Sequence, residues 1–557
     1  MPATTRDLIM TATKQELPDL VFKNAKVVDV FNRGIIAADV AVTGERIVGL
    51  GRYSGKREVD IKGSYLLPSF TDAHIHFESS MLTPGEYARL AVAKGTTAVI
   101  ADPHEIANVC GEDGLDFMLR CAQGIPFDVH FMLPSCVPAT GFEHSGAVID
   151  SEMTHRLMEK YPFYGLGEMM NAPGVLNADE EVLGKIASAE RIDGHAPMVT
   201  GSNLCGYLCA GIMTDHEVGD PEEMLEKISM GMYIQIREGT SAKNLAQLLP
   251  AVTPYNMKRV MFCTDDFHID DLADRGSIAN CVAKAVGLGM DPLDAITIAC
   301  LNPALCYGLQ HRGAVAPGYM ADIIISRDLT CQEIEEVYYH GVLAAKDGKA
   351  LFSAVKPSPQ RASDTVKLPD LSEETFMYEF SPEMPVIQVL PHSLVTKKVF
   401  RQSADGLNLC AVIERHGKCG SVGRGFVDSF SVKNGAIAQS IGHDSHNVIV
   451  IGDNPHDMYL AVQALGKGGG IAVAMNGAVT AMMPLPIAGL MSDKTAEEVL
   501  DEYRALCAAA GRLDCNSQID PFMMLSFLPL PVIPELKLTD SGVFDVNLQQ
   551  FYDKRKI

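Results

Sequence analysis

Hydrophobic and polar positions change their rhythm twice along this chain. Residues 19–51, DLVFKNAKVVDVFNRGIIAADVAVTGERIVGLG, alternate short β-rich runs with turn residues such as Asn32, Arg33, Gly34 and Gly44. The pattern predicts antiparallel strands of a small sheet domain over residues 1–66. From residue 67 to 311 apolar β-rich runs alternate instead with helix-like stretches, which is the signature of βα units. Eight such runs can be picked out: LPSFTDAHIHF, TTAVIADPHE, FDVHFMLPS, FYGLGEMMN, ERIDGHAP, GIMTDHE, MYIQIREGT and VMFCTDDFH. Each ends in charged or polar residues. Eight units in about 250 residues predict a (β/α)8 TIM-like barrel, whose active site gathers at the C-terminal strand ends. Residues 312–355 turn β-rich again and are expected to rejoin the first sheet, so that a small β-sandwich is built from both flanks. The proline- and charge-rich stretch 356–385 reads as a linker. Residues 386–557 make a further α/β domain.

Chemistry enters at residues 70–82, FTDAHIHFESSML. Residues i and i+2 of a strand face the same side, so His74 and His76 point together into the barrel mouth. On its own the pair fits either two metal ligands or two half-buried, hydrogen-bonded histidines. Further strand ends add Glu168, His195, His216 and Asp265. The intervals, about 31 residues per unit at first and about 21 to 27 later, are βα repeat lengths. Four imidazoles and two carboxylates suit one or two divalent ions such as Mn²⁺, Fe²⁺ or Zn²⁺. A carboxylate on the fourth strand can bridge two ions about 3.5–4 Å apart. Cations sharing a water lower its pKa, and Asp265 beside it can act as general base and then acid, so hydrolysis at an electrophilic carbon is the expected reaction. Two competing patterns fail. HFE at 76–78 lacks a following P-C-x-x-C, and HEIAN at 104–108 lacks the second histidine of H-E-x-x-H.

The bulk properties narrow the setting. With 70 acidic against 46 basic residues the net charge is −24. No basic excess exists to neutralise phosphates, which argues against a nucleic-acid or anionic-membrane binder. Fourteen cysteines without a C-x-x-C pair read as reduced core thiols in a cytoplasmic protein.

Assembled in this order, the H-x-H strand, carboxylate, two histidines and final aspartate resemble the amidohydrolase superfamily. DAHIHFESSMLTPGEYARLAVAKGTTAVIADPHEIANVCG, GLGEMMNAPGV, DGHAP, TDHE, IREGT and the C-terminal HDSHNVIVIGDN are similar to its bacterial adenine deaminase branch. The resemblance spans nearly the whole chain. It implies hydrolysis of adenine to hypoxanthine and ammonia by a metal-bound hydroxide attacking C6. Two Mn²⁺ or Fe²⁺ ions are implied, with Zn²⁺ as a further option. In that arrangement His74, His76 and Asp265 hold one ion, His195 and His216 the other, and Glu168 bridges. The alternatives are a deaminase acting on another purine, such as an N6-substituted adenine, and a catalytically inactive metabolite-binding barrel.

Other rim residues are expected to assist. Asp265, Glu168 and His104 are the expected catalytic groups. His104 or Asp102 is read either as an extra ligand or metal-water positioner, or as a group orienting His74 and His76. Asp102, Glu105, Arg237 and His268 are the expected substrate contacts, although Arg237 fits a salt bridge at the mouth equally well. His443, Asp444 and His446 form a polar knot that reads as a lid or, alternatively, as a domain-docking cluster. The expected partner is a small molecule, without nucleic acid or membrane, and the expected assembly is a homodimer.

Overall fold

All eight candidate runs hold a strand in the computed structural model: Phe70–His76, Thr96–Ala101, Asp128–Leu133, Gly165–Met169, Ile192–Gly194, Thr214–Asp215, Tyr233–Arg237 and Val260–Cys263, with Asp265–Asp266 continuing the last. The structure describes residues 3–240, 242–391 and 393–552. The outer ends of the first and last expected domains, residues 1–2 and 553–557, therefore lie outside the described residues.

The first five strands pair in parallel with their neighbours, as do the last three. Asp265–Asp266 then pairs in parallel with the first strand, at Asp265↔Ile75 and Asp266↔His76. Between the fifth and sixth strands the link is a side chain: the Gly194 N–H donates to Thr214 Oγ1 at 3.0 Å. A parallel sheet covered by helices must be apolar on both faces, and the first strand is buried at every position. The barrel interior is closed by a polar layer one or two residues before the rim. Tyr307 donates to Asp193 Oδ1 at 2.8 Å, Gln235 Nε2 donates to the Ala73 carbonyl and to Tyr307 Oη at 2.9 Å each, and Thr214 donates to Asp193 Oδ1 at 2.8 Å.

Both flanks join one nine-stranded sheet. Ile323–Ser326 pairs antiparallel with Tyr65–Pro68 in the register Ile324↔Leu67. The N-terminal strands are not all antiparallel. Leu20–Asp29 runs parallel to Arg57–Asp60 and Tyr65–Pro68, because the chain crosses over between them.

The C-terminal region carries an eight-stranded sheet, antiparallel except where Val386–Leu390 meets Val422–Asp428. Helices Pro455–Ala464, Ala496–Ala510 and Pro521–Phe527 pack with it. The stretch expected as a linker is not free. Ala362, Val366 and Phe376 are buried, and the N–H groups of Val366 and Lys367 donate to the carbonyls of Lys467 (3.0 Å) and Arg415 (2.8 Å). Its scattered apolar side chains have a core to enter, which its proline content conceals. One hydrophobic cluster runs from Phe77 and Met81 of the barrel into Ile437, Ile471 and Leu525, so the C-terminal domain sits on the rim.

All fourteen cysteines are unbridged, but not all are core thiols. Cys205, Cys209, Cys419 and Cys507 are exposed. Among the described residues no helix is long and apolar enough to cross a membrane.

Candidate metal centre

Backbone geometry aims the key groups. The extended first strand presents His74 and His76 together, with their Nε2 atoms 3.2 Å apart. The eighth strand breaks at Thr264, whose N–H and hydroxyl donate to Asp72 at 3.0 and 2.7 Å. Asp265 follows in the left-handed region at φ 59°. A non-glycine residue held there costs on the order of 1–3 kcal/mol, a strain found where a side chain must be aimed. Here it turns the carboxylate inward, placing Asp265 Oδ1 3.1 Å from His76 Nε2 and 3.7 Å from His74 Nε2.

Glu168 divides its carboxylate between two sets of imidazoles. Oε1 lies 3.4 Å from His76 Nε2 and 3.9 Å from His74 Nε2. Oε2 lies 2.7 Å from His195 Nδ1 and 3.2 Å from His216 Nε2. All six residues expected from the sequence thus meet at one place, and all but His195 are buried. The shell around them fixes their orientation. His76 Nδ1 meets the Asp102 carbonyl at 2.8 Å, and the Glu168 N–H donates to Asp102 Oδ2 at 2.9 Å. Ser135 donates to the Glu168 carbonyl at 2.5 Å. Tyr207 donates to the Met169 carbonyl (2.7 Å) and accepts from the His195 N–H (3.1 Å).

Burial works against charge on His76, His195 and His216, yet the facing carboxylates raise all three, His195 to about 9. These imidazoles therefore carry the positive charge that a bound cation would supply, and His74 goes the other way. Burial, and then the neighbouring His216, hold His74 well below the usual histidine pKa, so its lone pair is free. Burial works against ionisation of Asp265, yet Arg237 and His76 keep its carboxyl well below the usual range. Glu168 is likewise held ionised against burial by His195 and His216. The site also leaves buried polar atoms without hydrogen-bond partners, among them His104 Nδ1, Asp102 Oδ1 and His216 Nδ1. His104 Nδ1 lies 3.4 Å from Glu168 Oε1, too far for a good hydrogen bond and close to the spacing of two ligands on one ion. The donor set therefore fits divalent metal.

The remaining expected residues fall in different places. Asp102 lies behind the cluster, supporting His76 and Glu168. Arg237 is engaged by Glu217 through both terminal nitrogens and by Asp265 Oδ2 at 2.6 Å, the salt-bridge alternative. Glu105 Oε1 accepts from Ser79 at 2.9 Å. His268 meets Tyr503 of the C-terminal domain at 2.7 Å. A small pocket between rim and C-terminal domain is lined by Met81, His268, Gln439, His443, Phe522 and Ser526, among others. His443, Asp444 and His446 are buried against the barrel, and Asp444 Oδ1 lies 3.9 Å from His104 Nε2.

Sequence reasoning missed Lys227. It lies on helix Pro221–Ser229, is fully buried, and its ammonium donates to Asp215 (2.7 Å), Glu223 (2.6 Å) and the Ala196 carbonyl (2.6 Å). Asp215 Oδ1 in turn accepts the N–H of Ala196 (2.9 Å). One ammonium therefore pins the residues beside both His195 and His216. Its only sequence signal was a lysine four residues after Glu223 on a helix. Removing one partner of a buried pair costs about 3–5 kcal/mol. Lys227→Met is expected to lower the unfolding free energy by that amount, read as a lower denaturant midpoint, and to weaken metal retention, as chemical unfolding and metal analysis would show.

A parallel barrel with this rim defines the amidohydrolase class. Residues 65–345 match the amidohydrolase family, and residues 389–550 match the adenine deaminase C-terminal domain. The chain is 45% identical to the adenine deaminase of Nitratidesulfovibrio vulgaris (strain DP4), over 98% of each chain. It is 45% identical to that of Clostridium acetobutylicum (95% of this chain, 96% of the relative) and 41% identical to that of Halalkalibacterium halodurans (98% and 97%). The chain belongs to the adenine deaminase family of amidohydrolases.

Proposed function

We propose that the protein is an adenine aminohydrolase, converting adenine and water to hypoxanthine and ammonia at the rim of the barrel. The chemistry rests on one observation, the Glu168 carboxylate shared between two sets of imidazoles. The substrate rests on near full-length similarity to adenine deaminases.

His74, His76 and Asp265 would hold one ion, His195 and His216 a second, with Glu168 between them and Mn²⁺ or Fe²⁺ as the metals. Bound there, the ions supply Lewis acidity that lowers the pKa of water toward neutrality for attack on C6 of the purine. Asp265 takes the proton from the attacking water and delivers it toward the departing amine. Arg237, held by Glu217, fixes one oxygen of Asp265 so that the other faces the cluster. The Asp102 carbonyl holds His76 in one ring orientation, which leaves its Nε2 for the ion. His104, between Glu168 and Asp444 and kept toward its neutral form by burial, would join the first ion or position its water. The C-terminal domain covers the rim and limits water at the reacting carbon, with His268 and His443 lining the pocket beside it.

The unbridged cysteines support a cytoplasmic setting.

The test is turnover. Adenine should release ammonia stoichiometrically with hypoxanthine, chelation should stop it, and added Mn²⁺ should restore it. Ammonia from N6-substituted adenines but not from adenine would move the substrate. No turnover on any purine with metal bound would favour a binding protein.

A further inference from the structure

A second group of ligand-type side chains lies where the C-terminal domain meets the rim, beyond the six-residue cluster. Glu105 comes from the first turn of helix His104–Cys110, and His443 and His446 come from the turn ahead of strand Val448–Gly452. One ligand atom of each lies within 4.8 Å of the other two. His446 is wholly buried, and neither of its ring nitrogens has a hydrogen-bond partner. A buried polar group left unpaired is destabilising, so a stable fold supplies it with something.

The nearest carboxylate oxygen is Glu105 Oε2, 3.7 Å from His446 Nε2. That is too long for a hydrogen bond. It is close to the ~3.4 Å between two ligands that each stand about 2.0–2.1 Å from one tetrahedral ion. Ser79 occupies Glu105 Oε1 and leaves Oε2 facing His446.

The group is held rigidly from both domains. The His443 ring stacks on Phe527 with centroids 4.2 Å apart, and the His443 backbone N–H donates to the Ser526 carbonyl at 2.8 Å. The His446 backbone is fixed in the left-handed region at φ 55°. Asp444 and Asp266 add negative charge near His443, against the buried cation Arg415 near His446.

We propose that Glu105, His443 and His446 form a further divalent-cation site, which fastens the C-terminal domain to the barrel rim. The site adjoins the barrel cluster through Glu105, which also lies within 4.8 Å of ligand atoms of His76 and His104. Two imidazoles and one carboxylate suit Zn²⁺ or a neighbouring transition metal. The proposal moves Glu105, expected from the sequence to contact substrate, onto the cation. It stands independently of the adenine reading, because an ion is counted whatever the enzyme turns over.

The experiment uses the full chain loaded with Zn²⁺. Metal analysis should find one ion per chain fewer in His446→Gln than in the unaltered protein. The double variant His74→Asn/His76→Asn, which disrupts the barrel set, should retain the ion at the domain junction. Anomalous scattering at the zinc edge, from crystals of the unaltered protein, should show a peak among Glu105, His443 and His446, and this readout does not depend on any variant folding. An unchanged metal count in His446→Gln, or no anomalous peak at that point, overturns the proposal even if adenine turnover is normal.

Discussion

Asp265→Asn is expected to reduce kcat/KM for adenine by about 10³-fold or more. Acid–base catalysis by a placed side chain contributes about 10²–10⁴ on its own, and this residue is also proposed to help hold an ion. The amide cannot accept and return a proton at neutral pH, and as a neutral ligand it binds a cation weakly. The fold should survive. Arg237 keeps its contacts with Glu217 at both terminal nitrogens, and Thr264 still anchors the strand break to Asp72. Steady-state hypoxanthine formation measures the loss, and thermal unfolding checks that structure persists. Activity within tenfold of the unaltered enzyme would remove Asp265 from the chemistry.

Glu168→Gln is expected to be as severe, with a different signature. Each carboxylate oxygen faces its own set of imidazoles. The amide offers one neutral oxygen and an NH₂ group that repels a cation, so one set loses its shared ligand outright. The metal content should fall by about one ion per chain and turnover should become undetectable, whereas Asp265→Asn should lose turnover with less loss of metal. Metal analysis alongside turnover separates the two variants. Full metal occupancy in Glu168→Gln would mean that the carboxylate does not bridge.

Much of the catalytic rim was legible because it obeys local rules. His74 and His76 are two apart on a strand, and a strand places such residues on one face whatever surrounds it. Glu168, His195, His216 and Asp265 end apolar runs at βα spacing, and in a parallel barrel every strand end opens on the same rim. The groups placed differently from expectation sit outside any period. Arg237 ends a strand just as the ligands do, and nothing local says that its partners are Glu217 and Asp265. Asp102 lies on the rim in sequence, yet its carboxylate turns back to the Glu168 N–H.

The sequence alone determined the barrel, the order of its strands and the six side chains at its mouth, because each follows from hydrophobic period and chain spacing. Only the tertiary structure decided how Glu168 splits its oxygens, that Lys227 pins the backbone beside His195 and His216, and that His446 meets Glu105 across two domains. Most of these contacts join different secondary-structure elements. They depend on where packing halts each helix and loop, and no pattern within a single segment carries that information.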